Sequence, residues 1–244
     1  MRRLITLWLL VGCILVTGAS HAQPAGSPPT KPPGLHVTLY GEFTRVLETE
    51  THSEMLQGSF YYLEPGRIHF EIAQPIKQIL LVHDNMLTIY YPDHNKGFIL
   101  EGKAPVLLPM VPALMAAARP DYGLTDLGYQ IYDQALRGDT LLTYWNHPAG
   151  EELGRFRLAK AGERLAYAVF EPPDANGEIL TTFETFTTVD GLPFPTEIRT
   201  ENVNLSSEGY EVLWLTKIEV NPEIPARVST FRLPSDAIVE KKQM

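Results

Sequence analysis

The chain has 244 residues and a formal net charge of −9 at pH 7. This acidic balance excludes nucleic acids and anionic membrane surfaces as electrostatic partners, because both repel a negatively charged protein. Cys13 is the only cysteine, which excludes a disulfide framework and leaves packing to hold the fold together.

The N-terminus has the layout of a secretory signal peptide. Arg2 and Arg3 precede the apolar run LITLWLLVGCILVTG, and Ser20 and Ala22 occupy the −3 and −1 positions of a cleavage site. The run is shorter than the roughly 20 apolar residues of a transmembrane helix. Cleavage after Ala22 removes two arginines, changes the net charge from −9 to −11 and places the mature protein in the periplasm. The alternative is a lipoprotein signal, because LVGC ends at Cys13 with the residue types of a lipid-attachment site.

A proline-rich stretch follows the predicted signal peptide (residues 1–22). Residues 23–34, QPAGSPPTKPPG, contain five prolines and predict an extended linker without a packed core. Residues 35–244 are then the predicted folded domain. No apolar run after residue 22 approaches the length needed to span a membrane, so we expect a soluble mature protein.

Short extended segments punctuated by turn residues fill the chain from Leu35 onward. About a dozen of them follow one another at near-regular spacing, which is typical of an antiparallel meander, sandwich or barrel. Asp84-Asn85, between residues 76–83 and 86–92, indicates a tight hairpin. Residues 227–234, RVSTFRLP, are predicted as the last strand.

Residues 67–74, RIHFEIAQ, alternate as a strand with one apolar face. Ile68, Phe70 and Ile72 point to one side of an extended chain, and polar residues point to the other. The apolar side either packs in a plain core or lines a cavity for an apolar ligand. Residues 79–82 and 212–215 are apolar on both faces, which suits a curved sheet with an inner ligand side and a packed outer side.

Residues 105–120, PVLLPMVPALMAAARP, interrupt the pattern of strands. Pro112 can occupy a first helical turn, the alanines favour helix, and Pro120 ends it. A helix this apolar must be buried against the domain or cover part of it. Its large apolar residues are Leu107, Leu108, Met110, Val111, Leu114 and Met115.

Motifs that would indicate catalysis are missing from the sequence. It contains no nucleophile elbow, no glycine-rich phosphate loop and no paired acidic metal motif. His83-Asp84 and Asp93-His94 lie at predicted hairpin tips, where Asp and Asn are turn residues first. We therefore predict a protein that is not an enzyme and that needs no metal or cofactor.

Residues 41–96 resemble the N-terminal half of the LolA family of periplasmic outer-membrane lipoprotein carriers. The family pattern is matched, in order, by Phe43, Gly58 with Phe60 and Tyr62, Pro65 with Ile68 and Phe70, Pro75, Leu80 to Asp84, and Leu87 with Tyr90 and Pro92. Residues 231–239, FRLPSDAIV, are similar to the closing strand of the family. Residues 189–199, VDGLPFPTEIR, resemble its outer-membrane lipoprotein-sorting relatives. The resemblance covers most of residues 40–240.

The resemblance implies a mainly β (α+β) fold. In the family this fold is an incomplete antiparallel β-barrel of about eleven strands, with a short helical lid over a hydrophobic cavity. The resemblance makes residues 105–120 the lid of this chain, with its six large apolar residues, Leu107 to Met115, as the predicted lid residues. The cavity holds the acyl chains of lipoproteins or lipids. The implied function is that of a periplasmic carrier, or chaperone, that moves its cargo toward the outer membrane. Its implied partners are an inner-membrane release complex and an outer-membrane acceptor, and we expect the carrier to be a monomer.

Under this resemblance the acyl-chain-binding residues are the apolar side chains of the predicted inner face. They are Phe60, Tyr62, Ile68, Phe70, Ile72, Leu80, Val82, Ile89 and Trp214. The alternative is that the same scaffold is a lipid-sensing or regulatory module that contacts a membrane protein. Composition alone does not separate these two functions.

Two departures from the family pattern concern the lid. Relatives have a helix before the first strand, and here residues 23–34 occupy that place. Relatives also have an arginine, just before a strand-ending proline, that holds the lid closed. The matching position here is Glu64, with Arg67 three residues later. We therefore expect lid control to differ from that of the relatives.

Overall fold

A computed structural model of the chain describes residues 38–63, 67–83, 85–102, 121–125, 127–162, 164–173, 177–203 and 209–243. These residues form fourteen strands: β1 Leu39–Thr49, β2 Ser53–Leu63, β3 Arg67–Gln74, β4 Gln78–His83, β5 Met86–Tyr91, β6 Lys96–Glu101, β7 Gln130–Arg137, β8 Thr140–Asn146, β9 Arg155–Ala161, β10 Arg164–Glu171, β11 Glu178–Val189, β12 Leu192–Val203, β13 Gly209–Val220 and β14 Ile238–Gln243. One short helix, α1, covers Ala226–Ser229, and 3-10 turns cover Pro92–His94 and Glu151–Leu153.

All fourteen strands belong to one sheet with the order β14-β6-β5-β4-β3-β2-β1-β13-β12-β11-β10-β9-β8-β7. Two antiparallel meanders, β1–β6 and β7–β13, join where β1 pairs with β13. The last strand, β14, pairs in parallel with β6. The predicted mainly β, open antiparallel fold is therefore confirmed, with fourteen strands where about eleven were expected from the barrel of the resembled family.

The hairpin predicted at Asp84-Asn85 is present. His83 pairs with Met86, so a two-residue connection joins β4 to β5. In the hairpin between β7 and β8, Gly138 has a φ of +63°. Glycine fits this position because it has no Cβ to clash in the left-handed region.

The sheet buries one face around a single apolar cluster. Because side chains alternate between faces, every second residue of a strand points to the same side. We call the side that carries Phe60 and Phe70 the inner face. Its buried residues come from β1–β6, from β8–β13 and from the segment 121–129 that precedes β7. The sheet therefore curls around a shared interior, and residues 121–129 bring the chain from one meander to the other beside it.

The C-terminal segment, residues 221–237, crosses the outer face between β13 and β14. Val228 of α1 is fully buried and packs against Tyr61 and Leu63. The strand predicted at residues 227–234 is therefore wrong. Pro225 precedes a short helix instead, because burying Val228 against the sheet needs a turn of chain rather than another strand.

Candidate functional site

The pleat of β2 and β3 places four of the predicted site residues together on the inner face. Phe60 lies opposite Phe70, and Tyr62 lies opposite Ile68. All four side chains are at most 2 % exposed. The Phe70 ring stands perpendicular to Phe43 at 6.2 Å between centroids, an edge-to-face contact favoured by aromatic quadrupoles.

The same face continues across β4 and β5. Leu80 lies opposite Phe70 and Ile89, and Val82 lies opposite Ile68. Val82 and Ile89 are buried, and Leu80 is partly buried against the same cluster. Ile72, at the end of β3, is also buried in it. Eight of the nine predicted acyl-chain residues therefore lie side by side on one face.

Trp214 lies apart from the other predicted residues. It is opposite Thr44, on the outer face of β13, and is 37 % exposed. Its neighbours Leu213 and Leu215 point inward and are buried in the cluster. The cause is the register, since a bulge between Glu42 and Phe43 brings Leu215 opposite Phe43. The sequence of β13 is apolar on both faces, so its pattern alone did not identify the inner side.

The second meander contributes inner-face residues that the sequence analysis missed. Phe156 lies opposite Phe170 and Trp145, with 4.7 Å between the Phe156 and Phe170 centroids. Leu158 lies opposite Ala168 in the next pair on that face. The signal that could have found Phe156 and Leu158 is the alternation RFRL at the start of β9, whereas the apolar run LAYAVF in β10 does not distinguish its two faces.

The predicted lid residues Leu107, Leu108, Met110, Val111, Leu114 and Met115 lie outside the described residues. The chain that follows them, Asp121–Thr125, is described and inserts two side chains into the inner cluster. Tyr122 stands edge-on to Phe183 at 5.8 Å, and Leu124 is 1 % exposed. Burial raises the pKa of the Tyr122 phenol, which therefore stays neutral at ordinary pH.

Tyr129, which follows this segment in the chain, is also buried in the inner cluster. Its hydroxyl donates a hydrogen bond to the Leu153 carbonyl at 2.5 Å, and its ring stands perpendicular to Phe156. Burial raises the pKa of Tyr129 to about 12. The tyrosines of this segment therefore act as neutral apolar rings with one polar end satisfied by the protein.

Arg67 holds the C-terminal segment. Its guanidinium donates to the carbonyls of Ser229, at 3.0 Å, and Val228, at 3.4 Å. Glu64, the residue at the position of the arginine in the resembled family, lies outside the described residues. In this structure Arg67 therefore attaches the C-terminal segment to the outer face of the sheet.

A groove of about 680 Å³ is lined mainly by outer-face side chains of β1, β2 and β3. Glu42, Ser59 and Glu71 lie across from one another in register along it. The Tyr40 hydroxyl donates to Glu42 Oε1 at 2.9 Å, and burial together with this bond raises the pKa of Tyr40 to about 12. Ile72 reaches the groove from the inner cluster. The groove is thus a polar surface that borders the apolar interior.

The described residues contain neither a cluster of metal ligands nor a membrane-spanning helix. No group of three or more His, Cys, Asp or Glu side chains in them could hold a metal ion. No helix that they form is long and apolar enough to cross a bilayer.

Three solved structures share this fold. A LolA superfamily protein from Nitrosomonas europaea has a TM-score of 0.55 at 14 % identity. A DUF1329 family protein from Desulfovibrio piger has a TM-score of 0.57 at 12 % identity. A domain from Vibrio parahaemolyticus, described as belonging to an outer membrane lipoprotein-sorting protein, has a TM-score of 0.53 at 9 % identity. Each match covers 78 % of this chain and 88 % of the other.

No protein-family model matches the sequence, and no curated protein matches it. At 9 to 14 % identity the structural matches show a common fold. The LolA-like fold predicted from the sequence is therefore confirmed.

Proposed function

We propose that this protein is an exported carrier that binds the acyl chains of lipoproteins or lipids in its interior and moves them toward the outer membrane. The proposal depends on the inner face of the sheet. It is a continuous apolar surface contributed by both meanders, in a sheet whose terminal strands, β7 and β14, lie at opposite ends of the strand order. An acyl chain gains roughly 0.8 kcal/mol for each methylene group that it buries against such a surface.

Binding would require protein side chains to move, because the inner face is covered in this structure. Tyr122 and Leu124 lie on it and directly follow residues 105–120, the predicted lid. Under the proposal an acyl chain competes with these side chains for the same apolar surface. The covered state protects the interior from water before loading, and the competition keeps cargo binding reversible.

The proposal includes a location and partners. The predicted signal peptide places the mature protein in the periplasm, where a monomer would receive cargo from an inner-membrane release complex and pass it to an outer-membrane acceptor. Fold relatives that include a LolA superfamily protein and a lipoprotein-sorting domain support this cargo class. A role without catalysis is consistent with an interior lined mainly by aromatic and aliphatic side chains.

A lipid-sensing or regulatory module is the second candidate function. One observation favours it: Met55, Tyr210 and Trp214 are exposed apolar side chains on the outer face. Such side chains are enriched in protein interfaces. A regulator would bind a membrane protein through this patch, whereas a carrier would release lipid to an acceptor.

The test of the carrier function is acyl-chain binding by inner-face variants. We expect the wild-type protein to bind a fluorescent fatty acid and to co-purify with lipid or lipoprotein detectable by mass spectrometry. Phe70→Glu and Ile72→Glu should abolish binding, because a carboxylate on the apolar surface costs several kcal/mol to desolvate. Ile72 also borders the outer groove, so the new charge stays hydrated and the variant stays folded until an acyl chain covers the inner face and removes that water.

Trp214→Glu is the matched control, because it adds the same charge on the outer face. It should leave fatty-acid binding unchanged and circular dichroism intact. Binding that survives in a folded Ile72→Glu variant would contradict the proposal. Loss of binding to a membrane-protein partner in Trp214→Glu, with lipid binding intact, would favour the regulatory module.

A further inference from the structure

A polar row borders the apolar surface on the inner face. In this row Glu211 of β13 lies opposite Thr200 of β12, and Thr200 lies opposite Thr181 of β11. The Thr181 and Thr200 hydroxyls are 3.1 Å apart and share a hydrogen bond. Two residues further along these strands, the apolar row consists of Leu213, Ile198 and Phe183.

Strand β1 adds a cation at the end of the polar row. Arg45 lies opposite Leu213 and two residues after the buried Phe43, so its side chain belongs to the inner face. Its Nη2 donates to Glu211 Oε2 at 2.5 Å. The two side chains are only 14 % and 12 % exposed. An ion pair therefore stands at the boundary between the apolar interior and the rim of the sheet.

The position of this pair is not explained by stability. Two apolar residues in the same place often stabilise a protein as well as a largely buried ion pair, because the charges must lose their water. A guanidinium carries five N–H donors in a planar fork that matches carboxylate and phosphate oxygens. The bond to Glu211 engages Nη2, and a second anion could share the fork.

We propose that Arg45 and Glu211 form a head-group site for an amphipathic ligand with an anionic head. The acyl chain would lie on the apolar row, and a carboxylate or phosphate would bind the Arg45 guanidinium. The Thr200 hydroxyl, next to Glu211 in the row, would accept from Thr181 and donate to a remaining head-group oxygen. Glu211 orients the guanidinium in the empty protein and opposes the incoming negative charge. This inference rests on the proposed acyl-chain binding and defines the class of ligand.

The experiment compares three ligands with the same palmitoyl chain on the full mature protein. They are palmitate, palmitoyl-lysophosphatidylglycerol and the neutral monopalmitoylglycerol, each below its micelle concentration. Binding is measured by displacement of the neutral fluorophore 1-aminoanthracene at pH 8. Two variants are compared with the wild type. The double variant Arg45→Gln/Glu211→Gln removes both charges and replaces them with uncharged side chains of similar shape. The second variant is Glu211→Gln alone.

We expect the double variant to bind monopalmitoylglycerol like the wild type and to lose about tenfold in affinity for an anionic ligand. Glu211→Gln should bind the anionic ligands several-fold more tightly, because the repulsion is removed and Arg45 remains. A loss for palmitate alone identifies a fatty-acid carboxylate, and a loss for the lysophospholipid alone identifies a phosphate. A loss for both identifies a general anion site.

Equal affinity changes for the neutral and anionic ligands would overturn the head-group site while leaving the carrier proposal standing. If the double variant does not fold in a thermal unfolding assay, Glu211→Gln decides the question. Unchanged anion affinity in that variant also overturns the site. Failure of the wild type to bind any of the three ligands would instead refute the carrier function itself.

Discussion

Glu71 links the sheet to the C-terminal segment through charge. Its Oε2 accepts a hydrogen bond from Arg227 at 2.9 Å, and its Oε1 lies 3.5 Å from Nε2 of the buried His69. The His69 imidazole and the Arg227 guanidinium hold the pKa of Glu71 below its usual range. Phe231 of the same segment stands edge-on to His69, with 5.2 Å between centroids. The Glu71 carboxylate thus lies between His69 of β3 and Arg227 of the C-terminal segment, at the place where this segment crosses β3.

Glu71→Gln should lower the free energy of unfolding at pH 7 by about 0.5 to 1 kcal/mol, the range of a partly exposed ion pair. A carboxyl whose folded pKa is lowered contributes stability that is present above its unfolded pKa. That contribution disappears as the pH falls through the folded value. The difference between wild type and variant should therefore shrink below pH 4.5, the ordinary glutamate value.

Urea unfolding of both proteins between pH 3 and pH 8 measures this difference. Glu240→Gln is the control, since Glu240 pairs with Lys96 at the exposed edge and its replacement should leave stability unchanged. A Glu71→Gln effect that stays constant over the whole pH range would show that the carboxylate charge is not the cause.

At the scale of elements, the segment Asp121–Thr125, which we call the plug, packs against the inner face. It has no strand pairing to hold it, and its position depends on two buried side chains, Tyr122 and Leu124. Asp121 supports the turn, because its carboxylate accepts hydrogen bonds from the backbone N–H groups of Gly123 and Thr125. A segment fixed in this way can leave the sheet without breaking the ladder of strands.

Leu124→Ala should weaken the plug and strengthen acyl-chain binding. Removing a buried leucine costs about 2 to 5 kcal/mol of stability. Under the carrier proposal the ligand no longer displaces that side chain, so fatty-acid affinity should rise several-fold. Hydrogen exchange over residues 105–125, with and without palmitate, should show lower protection in the loaded protein.

Leu142→Ala provides the comparison for this prediction. Leu142 is also buried, and it lies outside the inner cluster, on the opposite face of β8 from Thr143 and Trp145. Its replacement should destabilise the fold without changing fatty-acid affinity. Exchange protection over residues 105–125 that does not respond to palmitate would rule out a mobile cover, even if lipid binds elsewhere.

At the scale of the whole molecule, two meanders share one interior in a sheet that is open between β7 and β14. β14 pairs in parallel with β6 at one end of the sheet, and Lys96 and Glu240 add an ion pair across this pairing at 2.8 Å. Such an arrangement can widen between its end strands without losing the β1–β13 junction. This property suits a carrier, which must open its interior and keep its fold.

Export is the prediction that concerns the whole chain. Expression of the full sequence in a Gram-negative host should yield a soluble periplasmic protein whose N-terminus is Gln23, because the apolar run after Arg3 matches a signal peptide. Intact mass and N-terminal sequencing of the periplasmic fraction measure this. A protein retained in the membrane with a lipid on Cys13 would establish the lipoprotein alternative.

The sequence by itself determined the class of the fold and part of the inner face. Alternation in β3 identified Ile68 and Phe70, because a strand's period of two assigns faces without reference to its neighbours, and the family resemblance added Phe60 and Tyr62. The turn at Asp84-Asn85 was likewise predicted from residues that are adjacent in the chain. These features depend on residues close together in the chain, and the sequence therefore predicted them.

Only the tertiary structure decided which face of β13 points inward. Leu213 or Trp214 could have been buried, and the choice came from the bulge after Glu42 and the pairing with β1, nearly 170 residues away. The same long-range pairing brought Arg45 to Glu211. Register between distant strands is set by the packing of the whole sheet, since a shift of one residue exchanges every inner side chain for an outer one.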